Sequence, residues 1–300
     1  RRILSTSEGT SRGHFGPVEW GLLAATSLVW GSSYLWIALG LEAFQPGLIA
    51  WLRLAFGAAV LVVLPRPRAE IARHDWKVIV LIGLVGNAGP ALLFAMAEQT
   101  LESSVVGMLT AATPLVTLAL AIPLGNRSLR PVHIVGLGLG LIGVVAMSLD
   151  NVSGADTGIA GIVYVLTAIA GYAIVSNVIG PLVERYGAVA VVVRAQLIAL
   201  AVMTPSGYLA LDDSTFLWKS FIAVAILGIF GTGIARSLQA SLISRAGAPR
   251  ASVVGYLVPV VAAVLGVVIL DEVLTSVELA GLAVISVGAF LGSRQIKQPD

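Results

Sequence analysis

The chain reads as an all-α integral membrane protein, with ten transmembrane helices arranged as two inverted five-helix repeats. Three observations predict this: an apolar composition, ten runs long enough to cross lipid, and a duplication at a near-constant shift. Of 300 residues, 57% are hydrophobic and 11% charged, with a mean hydropathy of +0.95. Soluble domains carry about 25% charged residues, so a soluble fold of this composition could not cover its own surface. There is no cysteine, which removes disulfides and thiolate chemistry together. The three histidines, His14, His74 and His133, fall in or beside connections and give no buried metal set.

A spanning helix needs about 20 apolar residues, and the elements follow in order on that measure. Residues 1–17 hold arginine, serine and glycine without the apolar core of a cleavable signal, and read as a cytoplasmic tail. The first repeat, 18–149, comprises Val18–Leu39, Pro46–Leu64, Trp76–Ala97, Ser103–Leu124 and Pro131–Leu149. The second, 158–293, comprises Gly158–Val183, Ala188–Leu211, Trp218–Ile243, Pro249–Leu270 and Val277–Ser293. Residues 294–300 form a second cytoplasmic tail. Short connections suit helices that are neighbours in space.

Charge orients these spans. With both termini on one side, that side holds Arg1, Arg2, Arg12, Arg66, Arg68, Arg73, Lys77, Arg127, Arg130, Arg185, Arg245, Arg250, Arg294 and Lys297. The opposite side holds only Lys219, while Glu42, Glu102, Asp150, Asp156, Asp212, Asp213, Asp271 and Glu272 collect there. The positive-inside rule therefore predicts cytoplasmic termini. Cation usage of 15 Arg against 3 Lys suits a GC-rich bacterium and hence a cell inner membrane.

The duplication appears when the sequence is slid over itself. Trp76–Lys77 recurs as Trp218–Lys219, Gly86 falls on Gly228 and Glu42 on Glu184, all at a shift of 142. Arg53 falls on Arg194 at 141, and Pro114, Gly136 and Gly143 fall on Pro259, Gly281 and Gly288 at 145. Five spans per unit is an odd number, so the second copy crosses the membrane upside down. Inverted repeats recur in secondary transporters, with substrate held near the midplane between the halves.

The residues carrying these features also resemble a known family. "WGSSYLWIALGLEAFQPGLIAWLRLAFGAAVLVVL", Trp30 to Leu64, is similar to the opening of the EamA-type family of the drug/metabolite transporter superfamily. "LVPVVAAVLGVVILDEVLTSVELAGLAVISVGAFL" closes the second half in the family's manner, with Pro259, Glu272, Gly281 and Gly288. The resemblance runs from about Val18 to Ser293. It implies ten spans in two inverted repeats and export of small metabolites or drugs, amino-acid exporters being similar in length and layout. The sequence departs from the family at Asn126, where an acidic residue often follows the fourth span.

Polar and aromatic side chains deep in the spans are the candidate substrate contacts. Trp30, Ser33 and Tyr34 share one helical face. Asn87, Met96 and Gln99 come from the third span; Tyr172, Ser176 and Asn177 from the sixth; Gln239 and Tyr256 from the eighth and ninth. Each has a structural alternative, because polar side chains in spans also bond neighbouring backbone or tie helices together. Pro114 and Pro259 are candidate gating hinges, since an intrahelical proline removes a backbone hydrogen bond; static kinks are the alternative. Arg53 and Arg194, each following a glutamate near the end of the preceding span, predict repeat-related pairs with Glu42 and Glu184. Leaving an unpaired arginine at the centre of a spanning helix costs about 2.5–3.5 kcal/mol. Gly136, Gly140 and Gly143, like Gly288 and Gly292, form small-residue faces for close packing.

Function follows from these residues. The sequence predicts a secondary transporter that exports small amphipathic metabolites, aromatic and other hydrophobic amino acids among them, by alternating access. No Asp or Glu lies near the middle of a span, which favours facilitated over proton-coupled movement; a proton-coupled multidrug exporter is the alternative. An embedded enzyme would require a catalytic cluster near an interface, and none is visible. The expected partners are a small-molecule substrate and the lipid bilayer, with no nucleic acid, no metal and no cofactor; the sequence leaves the oligomeric state open, a monomer included.

Overall fold

A computed structural model describes residues 16–63, 70–121, 131–152, 156–246, 251 and 253–293. The tails, Asn126 and the connections it belongs to lie outside the described residues. The described residues fold into helical rods joined by short turns, with no strand among them.

The first rod, α1, runs Pro17–Gly31 and continues, after a turn at Ser32, as Ser33–Leu41; α2 is Pro46–Val63. In α3, two α-helical stretches, Trp76–Gly83 and Gly89–Ala97, flank a wider π-helical turn, Leu84–Ala88. In α4, Ser103–Leu109 and Thr113–Ala121 flank a tight 3-10 turn, Thr110–Ala112. Next come α5 (Pro131–Val152), α6 (Asp156–Val178, extended by Gly180–Tyr186) and α7 (Ala188–Leu209). In α8, Trp218–Ile226 and Ala235–Ala246 flank a second π-helical stretch, Leu227–Ile234; α9 is Val254–Leu270 and α10 is Ser276–Ser293. Eight of these rods are long and apolar enough to cross a membrane, and α9 and α10 are shorter apolar helices.

The breaks have local causes. Pro90 cannot donate a backbone hydrogen bond, and the π turn ends immediately before it, at Ala88, so its ring enters the first turn of the next stretch. Pro114 likewise follows the 3-10 turn of α4. Pro205 and Pro259 lie inside unbroken helices.

The bundle is apolar both outside and inside. Leu28, Leu141, Ile142, Val163, Val264 and Val268 are exposed, as lipid contact requires, while Leu23, Ile37, Leu54, Met108 and Leu227 pack in the core together with a few buried polar side chains. The principal pairings have a regular pattern: α1 packs on α8 and α9, and α6 on α3 and α4. Similarly α2 packs on α7 and the π stretch of α8, while α7 packs on α2 and on α3 through its π turn. The pairs α4–α9 and α5–α10 complete the set. Exchanging each rod with the one five later turns these pairings into one another, while α2–α3 and α4–α10 also pack without a comparable counterpart. At α5–α10 the predicted glycine faces meet: a side chain on Gly143 would lie 2.8 Å from the Gly281 carbonyl, and one on Gly288 would lie 2.6 Å from that of Gly136.

Two short ionic ties among the described residues hold rod ends together, and a longer one joins Arg245 Nη1 of α8 to Glu19 Oε1 of α1 at 3.7 Å. Lys219 Nζ, at the start of α8, donates to Glu42 Oε1 at the end of α1, at 2.6 Å. Arg185 Nη1 and Tyr186 Oη, at the end of α6, each donate to Asp75 Oδ2 beside the start of α3, at 2.6 Å. The exchange of rods carries one tie onto the other.

Candidate functional site

The inward faces of α1, α2, α3, α6 and α8 converge on a polar region at the level of the two π stretches. Regular helix hides its carbonyls and amides in i→i−4 bonds, whereas a π turn displaces them and re-aims side chains, and such turns concentrate at functional sites. Here the Gly231 carbonyl, within the π stretch of α8, accepts from Trp30 Nε1 at 3.0 Å. The Gly86 carbonyl, within that of α3, faces Arg236 Nη2 at 3.5 Å. Asn87, beside Gly86, is buried with both amide atoms unpartnered.

Aromatic rings close one end of this region. Tyr34 meets Phe94 edge-on at 5.7 Å between centroids, and Phe94 lies 5.9 Å from Tyr172. Tyr34 is buried and interacts electrostatically with Thr110, Tyr172, Glu98 and Arg53. At the same end the Glu272 carboxylate accepts from the backbone amides of Ser103 (2.8 Å) and Ser104 (2.9 Å). Glu272, two residues beyond the end of α9, thereby satisfies free N–H groups that begin α4. Further along, the two rods part company: Ser103–Leu109 packs on α9, whereas Thr113–Ala121 packs chiefly on α6 and α10.

The predicted contacts divide accordingly. Trp30, Tyr34, Asn87, Tyr172 and Gln239 face the interior, and Gln239 keeps a buried Oε1 without a partner. Ser33 is buried beside them, its hydroxyl donating to the Val29 carbonyl at 3.1 Å. Ser176 is exposed one turn beyond Tyr172, donating to its carbonyl at 2.8 Å. Asn177 is spent on structure, donating to the Thr117 and Ala173 carbonyls at 3.1 and 2.9 Å. Tyr256 donates to the Ala289 carbonyl at 2.9 Å, which ties α9 to α10. Met96 is half-buried, and Gln99 is exposed on the turn after α3. A side chain added at Gly255 would lie 3.7 Å from Pro114 Cγ, and Pro259 is buried in α9.

The expected pairing of Glu42 with Arg53 is corrected. Glu42 takes Lys219, while Arg53 Nε donates to Thr232 Oγ1 on α8 at 3.4 Å. The physical reason is geometric: α1 ends beside the start of α8, so a flexible lysine reaches the carboxylate first. Arg53, seven residues into α2, lies about 10 Å of helix deeper. Arg194 Nη1 donates to the Ala190 carbonyl at 2.9 Å.

Sequence reasoning missed four groups. Arg236 lies within a span in the sequence and is not among the candidate contacts, yet its Nη2 faces the Gly86 carbonyl of the α3 π turn. Thr232 and Gln196 looked like ordinary span residues; Gln196 Nε2 donates to the Leu54 carbonyl at 3.0 Å. Glu98 looked like an end-of-span residue, but both carboxylate oxygens are buried without a hydrogen bond. The signal for Arg236 and Thr232 was their nearness to Gly228 and Gly231, glycines already marked by the repeat.

The described residues contain no group of three or more metal-ligating side chains. A shallow apolar groove between α5 and α10, lined by Ile142, Ala146, Val277 and Val284 among others, includes none of the polar groups above.

Comparison with known proteins is consistent with this architecture. The model of the EamA-like transporter family matches twice, over residues 19–149 and 159–294. An uncharacterized inner membrane transporter of Escherichia coli K12, YedA, is 29% identical over 274 residues, covering 88% of this chain and 87% of its own. A probable amino-acid metabolite efflux pump of Salmonella typhimurium is 25% identical over 279 residues, covering 88% and 91%. The threonine/homoserine exporter RhtA of the same species is 27% identical over 276 residues, covering 85% and 86%. A crystal structure at 20% identity superposes with a TM-score of 0.60, over 91% of this chain and 95% of its own, and so has the same fold.

Proposed function

The chain belongs to the EamA-like transporter family, and from that premise we propose that it exports small amphipathic metabolites, hydrophobic and aromatic amino acids among them. It is a multi-pass membrane transporter. The observation that carries the reading is the polar, aromatic-lined region on two π stretches within an otherwise apolar bundle. Such a region matches how ligand sites are built, from apolar and aromatic walls with a few placed polar groups. Relatives described as an amino-acid metabolite efflux pump and a threonine/homoserine exporter support the substrate class.

Ten crossings in two inverted repeats complete the proposal. They are supported by the double family match, by the pairing pattern that survives exchange of rods, and by π stretches at matching places in α3 and α8. The cation-rich face, where α1 begins, is the cytoplasmic one in the cell inner membrane. The region opens toward that face, where α4 leaves α9 and Ser176 is exposed; the aromatic rings and Glu272 close the other. Pro114 and Pro259 are the hinges of alternation, and Glu184 with Arg194 ties α6 to α7.

Movement down a substrate gradient is favoured, because no carboxylate lies in the middle of a span. A second reading, proton-coupled efflux, is favoured by one observation: the enclosed, unpartnered carboxylate of Glu98, of the kind that proton relays use in membranes. Counterflow of labelled phenylalanine, leucine, threonine and homoserine in proteoliposomes at matched pH is the expected result. Accumulation that appears only under an imposed pH gradient selects the second reading. Failure to move any of the four overturns the amino-acid assignment.

A further inference from the structure

We infer that Arg53 and Arg236 together bind a carboxylate group of the transported molecule, an assignment that rests on the export reading and names the chemistry of its site. Arg53 is 9% exposed, and its hydrogen bond to protein, Nε to Thr232 Oγ1, is long at 3.4 Å. Arg236 lies four residues beyond Thr232 on α8, and its bond to the Gly86 carbonyl is at the limit, 3.5 Å. A guanidinium offers five donors, so most donors of both groups await a partner. The two side chains are within electrostatic reach of each other and both of Tyr172.

Two like charges inside one bundle repel, and buried cations are ordinarily paired. This chain pairs even a half-exposed arginine with a carboxylate elsewhere: Arg185 Nη1 bonds Asp75 Oδ2 at 2.6 Å. No carboxylate contacts Arg53 or Arg236 among the described residues, so the arrangement lacks an anion. A planar carboxylate suits it, because the guanidinium fork matches two carboxylate oxygens.

The surrounding groups narrow the ligand. Asn87 Nδ2 and Oδ1 and Gln239 Oε1 are buried and unpartnered on the flanks of the arginines. Glu98, whose oxygens are also unpartnered, is within electrostatic reach of Arg53. The region thus presents cationic donors at one place and an unpartnered carboxyl acceptor at another. A zwitterion with a carboxylate and an ammonium group fits both, whereas a phosphate dianion would also face Glu98.

The test uses the purified full-length protein and its tryptophan fluorescence, since Trp30 bonds Gly231 next to Thr232. L-leucine is expected to bind saturably, and L-leucinamide, which lacks the carboxylate, roughly tenfold or more weakly, as for loss of a desolvated charge partner. Arg53→Gln and Arg236→Gln are each expected to weaken leucine by roughly tenfold or more and leave leucinamide unchanged, with Arg53→Lys and Arg236→Lys recovering part. Equal binding of leucine and leucinamide overturns the assignment, and that comparison needs no variant to fold. Wild-type affinity for leucine in monodisperse glutamine variants overturns it too, as does tighter binding of inorganic phosphate than of leucine. Saturable binding of neither leucine, phenylalanine nor acetate also removes the site. Counterflow of leucine that leucinamide inhibits equally removes the site while leaving export standing.

Discussion

Asp75 gathers its partners where α3 begins, and their chemistry fixes its behaviour with pH. The Tyr186 hydroxyl, then the Arg185 guanidinium, hold its carboxyl below the usual carboxylate range. A carboxylate whose folded-state pKa is depressed adds stability that is present above its unfolded value, near pH 4, and lost as pH falls through the folded one. Wild-type protein in detergent should therefore lose melting temperature below about pH 4 more steeply than Asp75→Asn, in which that titration is gone. A shallower wild-type slope would contradict the assignment. At neutral pH the variant should be destabilised by about 1–3 kcal/mol, the usual cost of hydrogen bonds to charged groups. Arg53 shows where reading residues from sequence stops. Its charge and depth were legible, and so was its repeat mate; its partner was not, because a repeat shift says which positions are equivalent and not which ones touch. Arg236 was hidden for a related reason: only the π stretch of α8 determines which way a residue beyond it points.

At the scale of elements, the helices were largely legible, and eight of them are long and apolar enough to cross a membrane, because runs of about twenty apolar residues leave few alternatives in lipid. What hydropathy could not show is where a rod departs from regular helix, since π and 3-10 turns leave apolar content unchanged. Those departures position the site. The π turn of α3 also pushes the Val85 carbonyl against Gly171 of α6, where an added side chain would overlap it. Gly171→Ala should therefore destabilise the protein by about 1–3 kcal/mol, as overpacking does. Gly138→Ala, with nothing within 4 Å, should have little effect; thermal unfolding of both variants checks this. The prolines give a kinetic counterpart. Pro114→Ala with Pro259→Ala should slow counterflow severalfold while leaving substrate affinity near its original value, because hinges govern conformational exchange. Unchanged rates would make them static kinks.

For the whole molecule, the double match and the exchange-symmetric packing describe two halves built to one plan. The packing of α4 changes along its length: Glu272 fastens its start to the end of α9, and from Thr113 on it packs chiefly on α6 and α10. The chain contains no native cysteine, so a single introduced thiol reports without background. Ser176→Cys should react with a membrane-impermeant maleimide in inside-out vesicles and be protected in right-side-out ones. The reverse pattern would mean that the region opens outward.

The tie between Glu42 and Lys219 joins the acid of one half to the base of the other. Each half also carries the complementary group at the matching place, Lys77 and Glu184. At the α3–α6 end the clasp is made by Asp75, Arg185 and Tyr186. The two halves thus share acids and bases in sequence while their ends are closed by different chemistry, a lysine–carboxylate pair at one and a tyrosine-assisted arginine pair at the other.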